Sequence, residues 1–105
     1  MTRRVVTTAR ADEDIASAVA YYVDAGAYDA AMDLVDALKK AFESLSAFPS
    51  IGSPRLAIEL GLEDVRTLTL QRFPYALVFT DADDAVRVHR VLHTARDIGG
   101  ELAER

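Results

Sequence analysis

The chain has 105 residues, half of them hydrophobic, and a formal net charge of −5. A chain of this length is expected to form one domain, and the lack of cysteine removes disulfides, thiolate metal sites and cysteine nucleophiles together. The acidic balance argues against free RNA or DNA as sole partner, because proteins that grip nucleic acid non-specifically carry a basic excess.

Residues 3–7, Arg-Arg-Val-Val-Thr, are β-branched and predict an opening strand, too short for the apolar core of a secretory signal. Thr7 or Thr8 then caps a helix whose early turns hold Asp12, Glu13 and Asp14, where the helix dipole favours negative charge. Ile15, Ala18, Val19, Tyr22 and Val23 recur at helical spacing and define one apolar face, and Gly26 ends the helix. A second helix is predicted over 29–47. Its stripe is Ala31, Leu34, Val35, Leu38, Phe42 and Leu45, with Asp36 at pair spacing from Lys39 and Lys40 and Pro49 as the stop. The short link between the two makes an antiparallel helical hairpin. Residues 49–63, with Gly52, Pro54 and Gly61, read as a long surface connection.

Beyond it the hydrophobic period changes from 3.6 to 2. Residues 65–70, 75–80 and 85–92 predict three strands, joined by Gln71-Arg-Phe-Pro74 and Asp81-Ala-Asp-Asp84. Links that short make antiparallel hairpins. Residues 75–79 are apolar on both faces, which makes the middle strand central. Residues 97–103 suggest a short terminal helix. The expected class is α+β, in the order β-α-α-β-β-β: an antiparallel sheet with the helical hairpin on one face. No repeat breaks the chain into units. No apolar run approaches a membrane span, so the cytosol is the expected location.

A meander of the last three strands gathers Arg72, Tyr75, Arg90 and His93 at one end of the sheet, with Arg96 just beyond and Arg66 towards the opposite end. Strict alternation places Arg90 on the face of Val86, Val88 and Leu92, and turns Arg87, His89, Val91 and His93 the other way. An arginine on an apolar face needs a partner. That partner is either Asp97 or another carboxylate, or else Arg90 is an anion-gripping guanidinium held rigid by packing. His93 and Arg96 follow the strand and are expected to be more exposed; His89 reads as a solvent-facing strand residue, and Tyr21 and Tyr22 as core and flank. Ten arginines against two lysines would suit bidentate contacts, but their spread over the whole chain reads as compositional bias. There is no glycine-rich phosphate loop, metal-ligand spacing or nucleophile elbow, so neither a metal nor a cofactor is expected.

Five segments carry a family likeness: Asp14-Ile15; Tyr21-Tyr22; Phe48-Pro49 with Gly52; Phe73-Pro74-Tyr75-Ala76-Leu77-Val78-Phe79; and Arg90-Val91-Leu92-His93-Thr94-Ala95-Arg96-Asp97-Ile98. In this order and spacing, over nearly the whole chain, they resemble the RelE/ParE family of toxins from bacterial type II toxin–antitoxin pairs. The resemblance implies one of two activities. RelE-type members are ribosome-dependent endoribonucleases that cut mRNA in the decoding site, and ParE-type members poison DNA gyrase. In the nuclease pattern a catalytic Arg follows the strand-end pair and a Tyr lies near the C-terminus; here Thr94 follows His93, and no Tyr comes after Tyr75. Metal-independent RNA cleavage needs a proton shuttle and cations for the developing phosphorane, which Arg90, His93 and Arg96 could supply. The form Arg-Val-Leu-His…Arg-Asp-Ile is similar to the ParE branch. That branch implies gyrase as target, no chemistry of the chain's own, and a target-binding set of Arg72, Tyr75, Arg90, His93 and Arg96. Either branch implies a cognate antitoxin and a hetero-oligomer with it, the antitoxin laying a helix or an extended segment on the helical hairpin or the sheet edge. A third reading is a non-toxic homologue that merely binds an antitoxin.

Overall fold

The computed structural model describes residues 2–54 and 64–98. In chain order it has β1 (Val5–Thr7), α1 (Ala9–Asp24), α2 (Tyr28–Ala47), β2 (Val65–Thr69), β3 (Tyr75–Asp81), β4 (Val86–His93) and one π-helical turn, Thr94–Ile98. The turn begins three residues before the helix expected at 97–103, most of which lies outside the described residues, as do residues 55–63 of the long connection. Thr8 is the cap: its Oγ1 accepts from Ala11 N at 3.1 Å, satisfying one of the first-turn donors. Gly26 closes α1 at φ +75, a left-handed conformation that lets Ala27 N–H reach back to Tyr22 O at 2.8 Å.

The strand order is β1-β4-β3-β2. β2, β3 and β4 form the expected antiparallel meander, while β1 enters parallel to β4, so the sheet is mixed. Parallel pairing needs a long crossover, which the helical hairpin between β1 and the meander supplies. Both helices cover one face. Leu34, Leu38 and Leu45 of α2 meet Leu77, Phe79, Val86, Val88 and Val91 of the sheet in one core, with Ala11 and Ala18 of α1 in contact with it. Alanines at those two positions let α1 lie close to the strands. The centre of the buried face passes through Ala11 and Ala18, which puts Val23 roughly 120° round the axis. Val23 is accordingly 39% exposed, against its place in the expected apolar stripe.

Strand alternation does not run unbroken along β4. Phe79 pairs with Val88, but Val78 pairs with Arg90, so His89 is an extra residue in a β-bulge. Residues opposite one another share a face, so the phase beyond the bulge is inverted relative to simple counting. Val91 joins Val86 and Val88 on the helix side, with His93 opposite Tyr75, whereas Arg90 and Leu92 lie opposite Val78 and Ala76 on the outer face. The expectation that Arg90 shares a face with Val86 and Val88 is therefore corrected, as is the outward turn expected for Val91 and His93.

Candidate functional site

β1 stops pairing at Thr7, opposite Val88, so among the described residues the rest of β4 has no strand along that edge. Side chains of α1 take over. Thr8 Oγ1 donates to His89 O at 2.9 Å, and the Asp14 carboxylate accepts from Val91 N at 3.0 Å. The same carboxylate takes Arg90 Nε at 2.8 Å and Nη2 at 3.1 Å, a two-pronged ion pair with side-chain exposures of 29% for Arg90 and 17% for Asp14. The carboxylate demanded for Arg90 thus comes from α1, and the contact ties that helix to the strand. From sequence Asp14 reads only as a favourable negative charge early in α1 and as part of the family likeness, not as the partner of Arg90. Its signal was available, since it stands beside Ile15, roughly 60° from the centre of the buried face of α1.

The end of β4 is fixed in three places. The Tyr75 ring, only 4% exposed, packs edge to face on His93 with centroids 5.3 Å apart. His93 Nδ1 accepts from Ala95 N at 3.2 Å and Arg96 N at 3.1 Å, so the imidazole caps the turn that follows it. Thr94 N donates to Pro74 O at 2.8 Å, which pins that turn to the link between β2 and β3. Arg96 is exposed, and its guanidinium carbon lies 6.0 Å from the centroid of the Tyr21 ring. Tyr21 stands edge to face against Tyr22 at 5.2 Å, and Tyr22 against Phe73 at 5.8 Å. Tyr75, His93 and Arg96 are therefore brought together as expected, and Tyr21 joins them from α1. His89 is not simply solvent-facing: its Nε2 lies 2.9 Å from Thr80 Oγ1, and burial, assisted by the Arg87 charge, holds its pKa below the ordinary 6.5.

Arg72 sits in the β2–β3 link with a left-handed backbone, φ 72, and belongs to a second feature. A groove of about 430 Å³ runs between α2 and β2. Ala37, Ala41, Leu68, Leu70, Phe73 and Ile51 give it apolar walls, and Asp33, Asp36, Lys40 and Arg72 bring charge to it. Among the described residues β2 is the last strand of the sheet, and Ser53 bridges to Thr67 along its outer edge. Phe73 lines the groove and also touches Tyr22, so groove and strand-end cluster share one side chain. Among the described residues no group of three or more His, Asp or Glu could hold a metal ion, and no helix is long and apolar enough to cross a membrane.

The family model described as "ParE toxin of type II toxin-antitoxin system, parDE" matches residues 5–98. Among solved structures, a chain titled "Chromosomal ParDE TA system from P. aeruginosa" superposes with a TM-score of 0.72 at 22% identity, covering 88% of this chain and 96% of that one. At that identity the likeness speaks for the fold. No curated protein matches the chain.

Proposed function

The chain belongs to the ParE toxin family of type II toxin–antitoxin systems, and on that footing we propose that it inhibits growth by binding DNA gyrase and is neutralised by a cognate antitoxin. The observation that carries a binding role rather than a cutting one is the engagement of Arg90. Its guanidinium is held by Asp14 through two hydrogen bonds, and the same carboxylate also holds Val91 N–H. A cation so neutralised is poorly placed to stabilise the charge of a phosphorane. His93 Nδ1 is likewise turned to backbone amides, and Thr94 occupies the position where the nuclease pattern has an arginine. What reaches solvent at this end is a shaped surface: Arg96 on Tyr21, with His93, Tyr75 and Arg90 behind it and Arg72 in the neighbouring link.

The antitoxin is assigned to the groove between α2 and β2. Apolar walls suit one face of a helix or the alternate side chains of an extended segment, and the flanking charges of both signs fix its direction. Among the described residues the β2 edge beyond Thr67 pairs with no strand, and it would offer backbone partners for the second of these.

Two assays in parallel separate the alternatives. Purified protein is added to gyrase in a supercoiling assay, and to translating ribosomes with primer extension on the mRNA. Loss of supercoiling with intact message is the expected result. Codon-dependent cuts with undisturbed gyrase would replace this reading by the endoribonuclease one. Silence in both assays, with harmless expression in the absence of a partner, would identify an inert antitoxin-binding homologue.

A further inference from the structure

Tyr21 is 58% exposed, yet its ring is not loose. It is braced from behind by Tyr22, itself braced by Phe73, and the Arg96 guanidinium lies towards its face. Arg96 is held at its backbone too, since its N–H donates to His93 Nδ1 and the turn is tied to Pro74 O through Thr94. Exposed aromatic and guanidinium groups lose little conformational freedom on binding when their surroundings already fix them, and tyrosine and arginine dominate the energetics of protein interfaces. Ion pairs between described residues use Arg3, Arg87 and Arg90. Arg96 is exposed, and its planar fork of donors has a geometry that matches a carboxylate.

We propose that Tyr21 and Arg96 form a preformed anchor on the toxin's target, with Arg96 taking a carboxylate of that protein and the Tyr21 ring packing on the apolar side chain beside it. This deepens the reading above and rests on it. The formal charge of −5 favours a protein carboxylate over a nucleic-acid phosphate, because long-range repulsion opposes the approach of a polyanion without a basic surround. The anchor also gives α1 a direct part in target binding, and none of the candidate residues read from the sequence came from that helix.

The test measures the affinity of the purified chain for purified gyrase subunits, with Tyr21→Ala, Tyr21→Phe, Arg96→Gln and Arg96→Lys beside the parent. Thermal melts and antitoxin affinity serve as controls for folding. Tyr21→Ala and Arg96→Gln are expected to weaken gyrase binding about tenfold or more. Tyr21→Phe should bind nearly as the parent does, and Arg96→Lys should fall between, because an ammonium keeps the charge and loses the fork. Parent-like affinity in both Tyr21→Ala and Arg96→Gln, with the parent binding gyrase, overturns the anchor and leaves the gyrase reading standing. A parent that does not bind gyrase overturns both. Loss of antitoxin affinity in step with gyrase affinity would mean damage to the fold, and would equally remove the anchor as the explanation.

Discussion

Asp14 holds three hydrogen bonds on one carboxylate, two from Arg90 and one from the backbone of Val91. Replacing it with alanine removes two hydrogen bonds from the partly buried guanidinium and one from an edge N–H, which costs about 1–3 kcal/mol on the usual scale for unmade hydrogen bonds. Asp14→Asn retains an acceptor for Val91 N–H and should lose less. Urea unfolding is the measurement, with a lower midpoint and an unchanged slope expected for Asp14→Ala. An unchanged midpoint would mean that the contact contributes nothing net. This pair also marks the limit of reading single residues from sequence. From sequence, the need of Arg90 for a carboxylate rests on a face shared with Val86 and Val88, which the bulge removes, although the ion pair itself is formed. Which carboxylate answers it was not legible, because Asp14 is 76 residues away in the chain and only the packing of α1 along β4 joins them.

At the scale of elements, the helices and strands were largely legible because each has a clean period and a clear stop. Thr8, Gly26 and Pro49 punctuate the helical half, and the apolar run from Tyr75 marks an inner strand. The bulge was not legible. Val91 and Leu92 are both apolar, so the pattern reads equally well in either phase, and His89 leaves no gap in it. The segment after α2 was legible only as a connection. In the structure Gly52 adopts φ +100, and a Cβ there would meet Thr67 O at 2.6 Å and the Phe79 ring at 3.3 Å. This close approach lets Ser53 bridge to β2, with Ser53 N to Thr67 O at 2.8 Å and Thr67 N to Ser53 O at 2.9 Å. Gly52→Ala is therefore expected to destabilise the fold by on the order of 1–3 kcal/mol, the cost of a strained backbone position made worse by a clash. Hydrogen exchange should show it first, as early loss of protection at Thr67 N–H. Protection equal to the parent would count against the close approach.

Over the whole molecule, two surfaces lie on either side of Phe73. The groove between α2 and β2 is apolar with flanking charges, and the strand-end cluster is aromatic and basic. If antitoxin and target use these separately, they can be separated by substitution. Ile51 lines the groove and is 37% exposed, so Ile51→Asp should fold normally, lose antitoxin affinity about tenfold and keep its effect on gyrase. Calorimetric titration with the antitoxin and a supercoiling assay read the two effects independently. Equal loss in both would place the two partners on one surface. The sequence disclosed Tyr75, His93 and Arg96 of the cluster, which are close along the chain or across a short hairpin, but not Tyr21, which α1 brings to them. It did not disclose the groove, whose walls come from α2, Ile51, β2 and the link to β3, segments brought together only by the tertiary fold.

The bulge in β4 bears on how this chain is compared with its relatives. His89 has no partner of its own in β3, so a relative lacking one residue at that point would keep every pairing from Arg90 with Val78 to His93 with Tyr75. The strand end would face the same way and differ only in twist. Alignments across this region therefore need to be anchored separately on Val88 and on Arg90, with the gap placed between them. A gap set anywhere beyond Arg90 would exchange the inward and outward residues of the strand end, and with them every role inferred for Val91, Leu92 and His93.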